Sequence, residues 1–543
     1  MAASRAIDPV TLEVLRHALT AVAEEMNANL IRSAYSPNIK ERRDCSSALF
    51  DAEGRMIAQA ESIPVHLGAM PYSVAAAIRA VDAFVPGDIV VVNDPYAGGA
   101  HLPDITFVAP VFIGEDRVGF VANRAHHADV GGKEPGSVSG DTVEIFQEGL
   151  RIPPVRLWRG GEIDRDLLDL VLLNVRTPTE RWGDLRAQKA ACRTGIDRLT
   201  AVVDRYGPAL VVDGMTAILD YSERRMRAEI ERIPNGSGTF SDVLDDDGVS
   251  GEPIPIRVKV TVDGDRIVFD FAGTAGQVTG PVNAVLAVTS SATYYAVRAL
   301  TDPEIPPNEG CYRPIEIVAP SGSLVNPVPP APVVGGNLET SQRVVDVILG
   351  AMGKLVPDRA IAACQGSMNN VAIGGIDPRS GGAYSLYETI AGGFGARRDR
   401  DGVDGIHSHM TNTLNTPVEA LEIAYPLRVE RYALRRASGG QGRHRGGLGI
   451  CRDIRCLGTE ARVSLLTERR THRPYGTAGG EPGSPGENVL LRDGDEIPLP
   501  GKGSVTLRLG DGLSIRTPGG GGYGDPAERA ANAIEKDRRE ERM

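Results

Sequence analysis

Apolar residues near the start of the chain recur at helical spacing. Leu15, Leu19, Val22, Met26 and Leu30 follow one another at steps of 4, 3, 4 and 4, which places them on one face of a helix. Asp8 stands where an N-cap belongs, and Pro9 suits the first turn. The stretch CSSALFDAEGRMIA (45–58) carries two apolar runs around Glu53-Gly54 and predicts a hairpin. A short Ala-rich helix is expected over 72–82, and GDIVVVND (87–94) reads as a buried strand ending on two polar residues. DITFVAPVF (104–112) and RVGFVANRAHHAD (117–129) continue the strands across a Gly-Glu-Asp turn, and helical patterning fills 164–232. Beyond that, IPIRVKVTVDGDRIVFDF (254–271) alternates around an Asp-Gly turn, the signature of a β-hairpin. Apolar helices are expected near 283–300 and 340–355, and from 425 onward β-like alternation is broken by glycine turns up to TPGGGGYGDP.

This order of elements predicts an α+β class: a large, interwoven, multi-domain protein. Its β-rich regions lie at an N-terminal site and at the C-terminus, with helical segments between. The expected divisions are 1–235 for an N-terminal α+β region, 236–424 for a central α+β region, 425–526 for a C-terminal β-rich region with glycine turns, and 527–543 for a charged tail that frays or forms a solvated helix.

Composition narrows the classes of function. The chain has 543 residues with 71 acidic and 59 basic side chains, a net charge of −12, which argues against a general nucleic-acid binder. Its start, MAASRAIDPV, has no apolar core of a secretory signal, and no run approaches the ~20 apolar residues of a membrane span. Six cysteines with no CxxC pair suggest reduced thiols in a cytoplasmic protein. Cys45, next to Asp44 rather than in a basic pocket, reads as structural.

Three of the nine histidines fall between 101 and 127, in NDPYAGGAHLPD (93–104) and RAHHADVGG (124–132), each at the end of an apolar strand. Strand ends that open into glycine loops combine a rigid scaffold with close backbone approach. On a regular strand His101 and Asp104 would point to opposite faces, but Pro103 argues against a central strand there, and a bent loop lets both converge on one ion. Imidazole plus carboxylate suits Mn, Zn or Fe. Asp94 could supply a further oxygen from across the Gly98-Gly99 turn. Of His126 and His127, one can ligate while the other packs, and the spacing does not choose. His407 and His409 form a weaker second pair, with Glu388, Glu419 and Glu422 as nearby carboxylates, and no residue stands out as the catalytic base. SGGQGRHRGGLG (438–449), with Arg443 and Arg445, has the composition of a phosphate cradle. It lacks the Lys-Ser/Thr ending of a P-loop and reads more economically as turn-rich β connections.

Several of these segments, in this order, resemble the hydantoinase B/oxoprolinase family. They are IKERRDCSSALFD (39–51), IPVHLGAM (63–70), NDPYAGGAHLPD, HHADVGG (126–132), GGNLETSQR (335–343), YPLRVERY (425–432), SGGQGRHRGGLG and PGGGGYGDP (518–526). The resemblance implies a B subunit that works beside a hydantoinase A-type subunit, which binds and hydrolyses ATP, in a hetero-oligomer. The implied reaction is ring opening of a cyclic amide such as a hydantoin, 5-oxoproline or a lactam. The alternatives are the metal-containing subunit of an ATP-dependent ketone carboxylase and a noncatalytic scaffold for the A subunit. It also implies a small-molecule carbonyl substrate, no nucleic acid or membrane partner, and ATP used through the partner. A divalent transition metal would be held by His101, Asp104 and His126, with Asp94 as fourth ligand and Asp44 and His66 as rivals for that place.

Overall fold

The computed structural model describes residues 7–60 and 62–543. The first helix, Pro9–Ser33, starts where expected: the Asp8 carboxylate accepts from the Val10 and Thr11 N–H groups. The predicted face of Leu15, Leu19, Val22, Met26 and Leu30 is buried, against the long helix Pro178–Tyr206 and an antiparallel sheet.

That sheet has seven strands: β1 (Cys45–Asp51), β2 (Met56–Gln59), β3 (Ile89–Val92), β4 (Asp104–Ile113), β5 (Asp116–His126), β6 (Val155–Arg159) and β7 (Glu162–Ile163). Their spatial order is β2-β1-β5-β4-β3-β6-β7. Helix Pro178–Tyr206 packs on β4 and β5, and helix Met70–Ala80 packs on β3, β4 and β5. Covered on both sides, the central strands are apolar runs rather than alternating ones. Alternation still sorts the side chains. Asn123 and His127 bond to Gln188 of the long helix, while Arg124 bonds to Ser73 of helix Met70–Ala80.

The central hairpin forms as predicted, between Ile254–Asp263 and Arg266–Asp270, within a four-stranded sheet covered by helix Ser341–Leu355. Along Ile254–Asp263 the residues Ile254, Ile256, Val258, Val260 and Val262 are buried and their neighbours face out. Two further sheets, of four and five strands, use residues from Asn370 to Arg516 and share a second apolar core that includes Val371, Leu427, Ile454, Val463 and Leu513. The principal core runs without a break from Leu15 to Leu466, so distant segments interleave.

The glycine-rich runs serve close packing of backbone on backbone. A Cβ at Gly446 would stand 1.9 Å from the Gly520 carbonyl oxygen, and one at Gly519 would stand 1.9 Å from that of Ser438. The charged tail is not loose: Arg529 pairs with Asp401 at 2.8 Å and with Asp537 at 2.6 Å, and Arg542 pairs with Asp404, so helix Ala531–Arg539 is pinned to the body. No helix among the described residues is long and apolar enough to cross a membrane.

Candidate metal centre

β4 begins at Asp104 and β5 ends at His126, and the two residues are direct cross-strand partners. Antiparallel pairing puts their side chains side by side on one face. His101 joins them from the turn before β4, which is closed by Asp104 N–H to His101 O at 3.1 Å. The loop over Pro103 is the bend that brings His101 and Asp104 together. The Nε2 of His101 lies 3.2 Å from Asp104 Oδ1, and the rings of His101 and His126 are 5.0 Å apart. One donor atom from each of His101, Asp104 and His126 lies within 4.8 Å of the other two.

All three are at most 2% exposed. Both ring nitrogens of His101, both oxygens of Asp104 and Nε2 of His126 have no hydrogen-bond partner. Native proteins rarely leave buried polar atoms unsatisfied, and a cluster of them with two imidazoles and one carboxylate fits a Mn, Fe or Zn ion. The electrostatics agree with that donor set. Burial would raise the Asp104 carboxyl, but His101 and His66 outweigh it and hold the group well below the usual range. Burial, reinforced by His101, holds His126 well below the ordinary histidine value, in the neutral form that a ligand needs.

His127 is excluded from the cluster. It follows the end of β5, faces the long helix, and has its Nε2 2.9 Å from Gln188 Oε1. Burial, then Arg181, pushes it down to about 4. Asp94 is engaged elsewhere: Oδ1 accepts from the Tyr96 N–H at 3.0 Å and Oδ2 from Arg151 at 2.8 Å. His66 lies closer to the cluster, with Nε2 3.4 Å from Asp104 Oδ2 and Nδ1 3.0 Å from Ser46 Oγ. Asp44 contributes its backbone oxygen, which accepts from the His126 N–H, and burial raises its carboxyl against the pull of Arg42 and His66.

Three residues that the sequence did not single out fix His126. Tyr387 stacks on its ring at 4.6 Å with an interplanar angle of 7°. Asn38 places Nδ2 3.1 Å from His126 Nδ1 and donates to its carbonyl at 2.6 Å. Arg42 lies 5.0 Å over the Tyr387 ring and bonds to Asn38 Oδ1. Tyr387 is itself held by its hydroxyl, which donates to Asn370 Oδ1 at 2.7 Å.

The other candidates have structural places. His409 bonds Asp346 at 3.2 Å, and His407 is apart from it with both nitrogens unpartnered. Glu388 accepts from the Thr416 N–H and pairs with the buried Arg452, Glu422 accepts from the Val429 N–H, and Glu419 is exposed. All six cysteines are unpaired and buried, and burial pushes the Cys45 thiol up.

A chain with this interwoven α+β fold, and with a buried His-Asp-His cluster at two paired strand ends, has close counterparts. It belongs to the hydantoinase B/oxoprolinase family, whose sequence model matches residues 8–526. An uncharacterised protein of Methanocaldococcus jannaschii is 43% identical, over 99% of this chain and 94% of its own length. The 5-oxoprolinase 1 of Arabidopsis thaliana is 38% identical over 96% of this chain, which spans only 42% of that enzyme. The crystal structure of the ATP-dependent caprolactamase from Pseudomonas jessenii superposes with a TM-score of 0.93 at 31% identity, covering 99% of this chain and 95% of that one.

Proposed function

We propose that this chain is the metal-bearing B subunit of an ATP-dependent cyclic-amide hydrolase, acting beside a separate A-type subunit that hydrolyses ATP. The buried, unsatisfied cluster of His101, Asp104 and His126 carries this reading. Relatives named as a 5-oxoprolinase and an ATP-dependent caprolactamase support the reaction class. The separate partner is supported by length, since the chain accounts for under half of the oxoprolinase it matches.

In this reading the partner phosphorylates the carbonyl oxygen of the cyclic amide, turning a resonance-stabilised bond into one with a good leaving group. A divalent ion held by His101, Asp104 and His126 would polarise a substrate oxygen and lower the pKa of water. The chain's own side chains prepare the place. Asp104 stays ionised between His101 and His66. Tyr387 and Asn38 fix the plane of His126. Burial of the whole group strengthens each interaction and keeps bulk water away from the activated substrate. His66 is better placed than Asp94 to complete the set.

The test is turnover by the copurified complex on a panel of 5-oxoproline, hydantoins and lactams. Wild-type protein should couple ATP hydrolysis to ring opening, and His101→Ala should stop ring opening. Ring opening at the wild-type rate in that variant would end the proposal. ATP hydrolysis that requires bicarbonate and a ketone would move the chain to the carboxylase branch.

A further inference from the structure

We infer that the buried face around the His-Asp cluster is an oxyanion site, built on Arg42 and Arg124 and suited to a phosphoryl group. Six arginines are among the largest fully buried side chains: Arg42, Arg124, Arg181, Arg343, Arg452 and Arg469. Four of them have carboxylate partners. Arg181 pairs with Asp184, Arg343 with Glu468, Arg452 with Glu388, and Arg469 with Asp242 and Asp346. Among the described residues, no carboxylate is within ion-pairing distance of Arg42 or Arg124. Burying a charge without a counter-ion is costly, so two such groups in one place call for an anion from outside the chain.

Both have only neutral partners. Arg42 donates to Asn38 Oδ1, to Tyr387 O at 3.0 Å, to Thr389 Oγ1 at 2.8 Å and to Thr413 Oγ1 at 3.4 Å. Arg124 donates to Thr106 Oγ1 and Ser73 Oγ, each at 2.8 Å. Arg42 Nε and Arg124 Nη1 have no partner. Both arginines border the proposed metal ligands. Arg124 precedes His126 by two residues on β5 and so shares its face, and its charge is felt by Asp104. Arg42 acts on His126 and sits over the tyrosine that stacks on it. Beside Arg42, His407 has both ring nitrogens unpartnered.

Charge counting gives the same answer. Asp44 and Asp104 at most balance Arg42 and Arg124, and a divalent ion would add two positive charges to a face shielded from solvent. An arriving dianion neutralises that excess, and guanidinium is matched to phosphate in geometry and charge. The phosphoryl assignment rests on the proposed function, because a partner-made phosphorylated carbonyl compound would bring such a group. The oxyanion site itself does not.

The experiment is calorimetric titration of the full-length chain with inorganic phosphate, made metal-free with EDTA, with acetate as the second probe. Arg124→Gln is the primary variant because it gives up only two hydroxyl contacts, and Arg42→Gln is the second. Melting temperature and metal content after reloading serve as controls. The wild type should bind phosphate at least tenfold more tightly than Arg124→Gln, with the variant's metal content unchanged, and should bind acetate more weakly than phosphate. Absence of phosphate binding by wild type, or equal affinity in wild type and Arg124→Gln, would overturn the site. Acetate binding as tightly as phosphate would overturn the phosphoryl assignment. Loss of metal binding with phosphate binding retained would remove the metal proposal alone.

Discussion

Asp104 and His126 owe their meeting to strand register, and His126 owes its orientation to a tyrosine far away in the chain. That division makes a prediction about single side chains. Tyr387→Phe keeps the ring stack and loses the bond to Asn370, so metal affinity should stay within a few-fold of wild type. Tyr387→Leu removes the plate behind His126 and should weaken metal affinity by roughly 10–100-fold, the usual effect of losing a group that orients a ligand. Equilibrium dialysis with Mn or Zn reads both, and equal affinities in the two variants would remove Tyr387 from that role. At this scale much was legible in advance. His101 and Asp104 could be paired because Pro103 signals a bend. The choice between His126 and His127 depended on where β5 stops, which spacing does not encode. Asn38, Arg42 and Tyr387 gave no local signal, since Arg42 reaches Thr389 across 347 residues.

The elements are held together by capped loops and by glycine contacts, and each makes a prediction. Asp245 follows the strand Gly236–Leu244 and accepts from the N–H groups of Arg470, Thr471 and His472. Burial would raise its carboxyl, but those donors together with Arg343 bring it down to about 2. A depressed folded value means stability that is complete above the unfolded value near 4 and is lost as pH falls through about 2. Asp245→Asn should therefore cost about 2–3 kcal/mol at pH 7, with the gap from wild type closing across that acid window. Chemical denaturation at pH 7 and pH 3 checks it, and a gap independent of pH would contradict it. Gly446→Ala forces a Cβ against the Gly520 backbone and should destabilise by about 1–3 kcal/mol. At Gly458 the nearest atom would be 3.6 Å away, so Gly458→Ala should stay within about 0.5 kcal/mol of wild type. Helix and hairpin positions were readable because their periodicities are local. The tail's order was not, because it comes from ion pairs to Asp401 and Asp404, far back in the chain.

At the scale of the whole molecule, one apolar core draws on residues from Leu15 to Leu466, and the metal-site face takes side chains from the start, the first sheet and the 387–413 region. Such interleaving is invisible to patterns read a few residues at a time, although the α+β class was legible from the order of elements. It also explains why the cluster can be fully buried: loops distant in sequence close over two strand ends. The central claim is that His101, Asp104 and His126 bind a divalent transition metal, and elemental analysis of purified chain tests it most directly. After growth with Mn, Zn and Fe and removal of loosely bound ions, wild-type protein should retain about one equivalent of metal, and folded His101→Ala and Asp104→Asn should retain almost none. Metal-free wild type, or variants that keep the wild-type content, would contradict the assignment.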